Sequence, residues 1–222
     1  MRKEIIFFSW VKYFRFRLEI NHYFRNSNFM MQDFWFYLQL GWGHIISKDA
    51  LDHQLFILAL VTVFSIWDFK KILILVTAFT IGHSLTLALS VLDVFRFPSS
   101  WVEFLIPCTI AFTALDNLLF SNNEKKIIQI NYILALLFGL VHGMGFANSV
   151  RLMMASEQQI AVPLFGFNLG LEIGQIAVVS IALLLHFLVS KFLKLPNKYW
   201  IIGVSLVILI FSLNMILQRL PF

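Results

Sequence analysis

The chain has 222 residues, of which 59% are hydrophobic and only 13% charged, with a mean hydropathy of +0.82. A soluble domain carries about 25% charged residues, so this composition excludes one and indicates a polytopic membrane protein. The formal charge of +5 is uneven: residues 1–30 hold six basic and two acidic residues, which leaves the rest nearly balanced and gives no reason to expect a nucleic-acid partner. The single cysteine, Cys108, excludes a disulfide framework and any Cys-based metal finger, so a metal site would have to be built from nitrogen and oxygen.

In chain order, the first segment is the basic tail 1–30. It lacks the apolar core and small-residue cleavage site of a signal peptide. It reads either as an interfacial basic segment or as a stretch ahead of a true start at Met30 or Met31. The remainder, 31–222, reads as a single transmembrane domain. Its opening, DFWFYLQLGWGHI, is aromatic and compact, which suits an interfacial or re-entrant helix.

A bilayer core of about 30 Å needs roughly 20 apolar helical residues. Six segments meet or approach this, giving an all-α bundle: Leu51–Trp67, Ile72–Leu92, Trp101–Phe120, Ile130–Val150, Leu164–Val189 and Tyr199–Leu217. The first is short and could extend toward His44 or dip only part of the way through. Short polar connections separate them, and no linker divides the chain. The first, third and fifth connections hold Lys70, Lys71, Lys125, Lys126, Lys191, Lys194 and Lys198, against Arg96, Arg151 and Arg219 elsewhere. Lysine-rich loops stay in the cytoplasm, so the C-terminus is expected outside.

Against this apolar background stand His53, His83, His142 and Glu172. Ionisable groups at membrane depth are rare and usually face a bundle interior, so each is a candidate functional residue. With the lysine end inside, His83, His142 and Glu172 each fall about eight or nine residues below the outer helix ends, and Asp52, His53 and Glu103 lie near those ends. Helical phase places Asn168, Glu172 and Gln175 on one face of the fifth span and Gly166, Gly170 and Gly174 nearly opposite, as a packing face. Thr80, Ser84 and Thr86 stand near His83 and could supply supporting hydrogen bonds, while Gly139 and Gly143 flank His142 and admit a neighbouring backbone.

Each of these residues also has a plainer role: a buried histidine can bond a neighbouring helix, Asp52 and Glu103 can cap helix starts, His44 can sit at an interface beside Trp42, and Asp116, Asn117 and His186 fit interfacial positions near the inner end. Taken together, His53, His83, His142, Glu172, Asp52 and His44 form a candidate site for a divalent transition metal, with Asn168, Gln175, Thr80 and Glu103 as supporting groups or a polar path.

The stretches GWGHIISKDALDHQLFILAL, TAFTIGHSLTLAL, FLIPCTIAFTAL, GLVHGMGFA and FNLGLEIGQ resemble the HupE/UreJ family of bacterial membrane proteins, and in particular its second, more divergent, Bacteroidetes-type branch. The resemblance implies a multi-pass protein of the bacterial inner membrane and a nickel or nickel/cobalt permease, with Ni²⁺ first and Co²⁺ or Zn²⁺ next. Two departures stand out. The family signature places five residues between a histidine and Asp-His, whereas seven separate His44 from Asp52; and GLVHGMGFAN has no glutamate after its His-Gly, a place Glu172 could fill. Two other functions remain open: an intramembrane metal-dependent hydrolase using a metal-activated water, and an accessory membrane partner that transports nothing. The inner halves of the spans are almost wholly apolar, with Thr77, Asp116, Ser180 and His186 the obvious polar groups a permeating cation could meet.

Overall fold

The computed structural model describes residues 30–94, 96–120, 124–154 and 160–221, with side chains left aside at 124–128 and 146–154. The basic tail therefore lies outside the described residues, apart from Met30. The described residues are helical throughout: α1 (30–46), α2 (Leu51–Val61), α3 (Phe69–Val91), α4 (Ser99–Leu119), α5 (Glu124–Met154), α6 (Ala161–Leu193) and α7 (Asn197–Gln218), with short 3₁₀ turns at Lys48–Ala50 and Ile66–Asp68.

Among the described residues, four stretches are long and apolar enough to cross a membrane: Ile66–Val91, Ser99–Leu119, Ala161–Leu193 and Asn197–Gln218. They coincide with the second, third, fifth and sixth expected spans. The fourth falls in α5, whose described side chains include the apolar run Gln129–Gly145. The first is the shorter of the alternatives: the helix does not run over the whole of Leu51–Trp67, and α2 has 11 residues. At 1.5 Å per residue that is roughly 16 Å, about half of a bilayer core.

Contacts from other helices stop α2 where it does. The last carbonyls of a helix have no partner within it. Here the Asn117 side-chain amide on α4 donates to Ala59 O at 2.8 Å, and the Asn131 amide on α5 donates to Leu60 O at 3.2 Å. Just beyond, the His186 ring N–H on α6 donates to Phe64 O at 3.2 Å, its ring stacked on Trp200. The expected interfacial positions of Asn117 and His186 are thus replaced by buried ones, at 0% and 8% exposure. Ser65 and Asp68 then restart the chain with reciprocal capping bonds.

The segment expected to be interfacial or re-entrant, α1, packs along α6. A Cβ on Gly41 would overlap the Phe167 carbonyl, one on Gly170 the Leu38 carbonyl, and Gly166 and Gly174 lie against Phe34 and Ile45. Both series ascend together, so α1 runs parallel to α6, and α2 continues in that direction until Phe64 meets His186. The glycine stripe of α6 is thus the packing face expected, with α1 as its partner. Between α1 and α2 the chain breaks at Ser47–Ala50. Gln54 holds the elbow by donating to both Ile45 O and Ser47 O at 3.0 Å.

On the other side, α3 and α5 are the most extensively packed pair and are parallel. Gly139 meets the Phe79 backbone, Gly143 the His83 carbonyl and Gly82 the Leu136 carbonyl, with no room for a Cβ at any of the three. Against them runs α2, which packs beside α4, α6 and α7 and meets α3 and α5 through the rings of His53 and Phe56. The starts of α3 and α5 and the end of α6 carry the lysines and lie at one end of the bundle. The candidate site lies toward the other.

Candidate metal centre

Four imidazoles converge at the elbow. His44 comes from the last turn of α1, His53 from the first turn of α2, His83 from α3 and His142 from α5. One ring nitrogen each from His44, His53 and His83 lies within 4.8 Å of the other two. The His142 ring centroid is 4.7 Å from that of His53, which in turn is 4.6 Å from His44. Burial is nearly complete for His83, His142 and His53, at 0%, 1% and 5% exposure, while His44 is half-buried.

Hydrogen bonding assigns a role to the individual nitrogens. His142 Nδ1 is 2.9 Å from the Phe138 carbonyl, which can only accept, so Nδ1 carries the proton and Nε2 the lone pair. His53 Nδ1 is 3.0 Å from Asp52 Oδ1, which also accepts the His53 backbone N–H at 2.9 Å. The carboxylate thereby orients the ring and leaves Nε2 with its lone pair, the carboxylate–histidine arrangement typical of metal ligands. The Nε2 atoms of His53 and His142, and both nitrogens of His83, are buried without a protein partner. Ring nitrogens with free lone pairs set side by side are the donor set a metal ion could use. His83 is held between Phe79 and Phe167, nearly parallel to both, which fixes its plane and leaves its edge toward the other rings.

A cavity of about 330 Å³ opens onto His44, His53 and His142. Asp49, Asp52 and Glu103 bring negative charge to its walls, and Arg219, just after α7, reaches Asp52 Oδ2 at 3.3 Å. The acidic lining favours a cation, and Arg219 offsets part of it. Beyond the histidines, toward the lysine end, lies a layer of aromatic rings. Phe56 follows His53 by three residues on α2, Phe79 and Phe138 precede His83 and His142 by four on α3 and α5, and the Phe56 ring lies 5.3 and 5.1 Å from the other two.

Not every candidate from the sequence joins this group. Glu172, half-buried on α6, accepts a 2.8 Å hydrogen bond from Thr77 and is neither in the imidazole group nor on the cavity wall. Gln175 accepts from Thr80 at 3.0 Å, tying α6 to α3. Asn168 stands beside His83 but donates to its own helix at Leu164 O. Ser84 and Thr86 turn back to carbonyls of α3, so these hydroxyls brace the helix and leave the imidazole nitrogens alone. Glu103 is exposed at the cavity mouth. Two contributors were not expected from the sequence. Gln54 locks the elbow between two of the histidines, and Arg219 is paired with the carboxylate that orients one of them.

An all-helical, largely apolar bundle with an imidazole cluster beneath an acidic cavity is a membrane-type protein with a site suited to a transition metal. The chain belongs to the HupE / UreJ protein family, whose model matches residues 21–219. No curated protein and no solved structure matches it.

Proposed function

We propose that this chain is a permease for a divalent transition metal of the nickel or cobalt type, in a state with its site open away from the lysine-bearing end. On this reading α1 and α2 form one broken crossing, and α3 to α7 make five more. The positive-inside rule puts the lysines in the cytoplasm and the cavity and C-terminus outside. Discontinuous helices with a binding site at the break are a recurring device of transporters, because the break offers polar groups at membrane depth and a place to bend.

The observation that carries the reading is the imidazole group itself: one ring nitrogen each from His44, His53 and His83 lies within 4.8 Å of the other two, the His142 ring is 4.7 Å from that of His53, and Asp52 and Phe138 O hold the Nδ1 atoms of His53 and His142. His44, His53, His83 and His142 are the proposed ligands. Asp52 supplies orientation and charge. Neutral imidazoles suit nickel, cobalt and zinc far better than magnesium or calcium. Glu172 stays outside the ligand set. The phenylalanine layer would keep the inner side shut while the metal loads from outside.

The size of the cavity favours one rival. It exceeds what a single ion needs, and with Asp49 and Glu103 on its walls it could admit a substrate to a metal-bound water, as in an intramembrane hydrolase. Uptake of Ni²⁺ and Co²⁺ by cells expressing wild type, His53→Ala or His142→Ala separates the two. The permease reading expects uptake that both variants abolish. Stoichiometric metal binding without uptake would instead favour the hydrolase.

A further inference from the structure

We infer that the inner end of α2 is a second cation site, lined by oxygen, through which the metal passes after leaving the histidines. This inference rests on the permease reading and supplies the polar exit that the apolar inner halves of the spans lack.

Three observations place it. The first is the end of α2 itself. Its last carbonyls already accept hydrogen bonds, from Asn117, Asn131 and the chain beyond, but the negative end of the helix dipole points there and attracts cations. The second is a set of buried side-chain oxygens without partners. Asn117 and Asn131 use their N–H groups on Ala59 O and Leu60 O, which leaves each Oδ1 bare, and the hydroxyl of Thr62, the next residue but one, is bare too. Exposure is 0% for both asparagines and 2% for Thr62. A buried carbonyl or hydroxyl oxygen left unpaired costs about 1–3 kcal/mol, so three around one helix end are unexplained by stability alone. The third is alignment. On α5, His142, Phe138 and Asn131 lie four and seven residues apart, in one stripe of a 3.6-residue helix. On α2, His53, Phe56 and Leu60 lie along one face in the same way. The route therefore descends from imidazoles, past the phenylalanine layer, to these oxygens.

The chemistry suits passage. Amide, hydroxyl and carbonyl oxygens hold a borderline metal more weakly than imidazole does. Conduction requires a waypoint favourable enough to enter and weak enough to leave. The outer site selects the metal, and the inner site receives and releases it.

The full chain in proteoliposomes, with Ni²⁺ as the probe, tests this through Thr62→Val. The substitution keeps the shape, breaks no hydrogen bond and removes only the bare hydroxyl, so on structural grounds alone it should leave the protein equally or more stable. The expected result is an initial uptake rate lowered by about fivefold or more, the worth of one oxygen ligand of roughly 1 kcal/mol. Metal content in detergent should stay at the wild-type level, and Thr62→Ser should restore uptake. Asn131→Leu should likewise lose uptake while keeping bound metal. Uptake by Thr62→Val within about twofold of wild type, beside a transporting wild type, overturns the inner site and leaves the permease standing. A wild type that binds metal and transports none overturns both.

Discussion

Replacing Asp52 by Asn keeps the size of the side chain and an acceptor oxygen for His53 Nδ1–H, but removes the charge. In the protein that oxygen receives two bonds from His53, at 2.9 and 3.0 Å, and the other oxygen meets Arg219 at 3.3 Å. A hydrogen bond to a charged group contributes about 1.5–3 kcal/mol, against roughly 0.5–1.5 for a neutral pair. Metal on Nε2 makes the Nδ1 proton more acidic, so the charged bond strengthens on binding, and the difference falls on affinity rather than folding. The variant also leaves Arg219 uncompensated beside an incoming dication, which acts in the same direction. Together these give a loss of about 10- to 100-fold in affinity, the usual effect of deleting a carboxylate behind a metal-bound histidine. Competition with a chromophoric chelator at fixed pH, for Ni²⁺ and for Co²⁺, measures it directly. Asp49→Asn, which removes an equal charge from the cavity wall, serves as control. An affinity for Asp52→Asn within about twofold of wild type would refute the role given to this carboxylate.

Other consequences follow from the same geometry. Arg219→Gln should tighten metal binding by about threefold at low salt, with the gain shrinking as ionic strength rises, in the same chelator assay. Protons compete for the ring nitrogens that take the metal, so affinity should fall on acidification and be largely restored on returning to pH 7.5. Gly170→Val should push α1 off α6 and carry His44 with it; the clash with the Leu38 carbonyl should cost about 1–3 kcal/mol in thermal unfolding, together with weaker metal binding. Phe138→Ala should remove one member of the inner aromatic layer, destabilise by about 3–5 kcal/mol, and leak cations in liposomes at a rate wild type does not show.

Much of the fold could be read from the chain because long apolar helices are a local property. Four spans and the glycine faces of α5 and α6 followed from composition and phase. The end of α2 did not, because VTVFS is as apolar as a continuing helix. What stops it are Asn117, Asn131 and His186, amide and imidazole donors on three other helices, and no local pattern reveals such partners. The same limit governed the placement of α1. Its aromatic sequence resembles an interfacial segment, and only the match between Gly41 and the glycine stripe of α6 draws it inward with His44.

The candidate site shows both sides of this. His53, His83 and His142 stood out because an imidazole inside an apolar run is costly, and the fold brings them together with His44. Glu172 stood out for the same reason, yet helical phase fixes only a face, and its face turns to Thr77. Asn131 carried a signal that could have been used: an amide in the apolar run INYILALL, on the same face as His142 and about three turns toward the lysine end from it.

The most direct test of the central claim is the X-ray absorption spectrum of nickel bound to the purified chain. Four converging imidazoles require three or four nitrogen scatterers at roughly 2.0–2.1 Å with the outer-sphere pattern of imidazole. His53→Ala should lose one of them, and Glu172→Gln should leave the spectrum unchanged. A first shell dominated by carboxylate oxygen, or a spectrum that responds to Glu172→Gln and not to His53→Ala, would contradict the account.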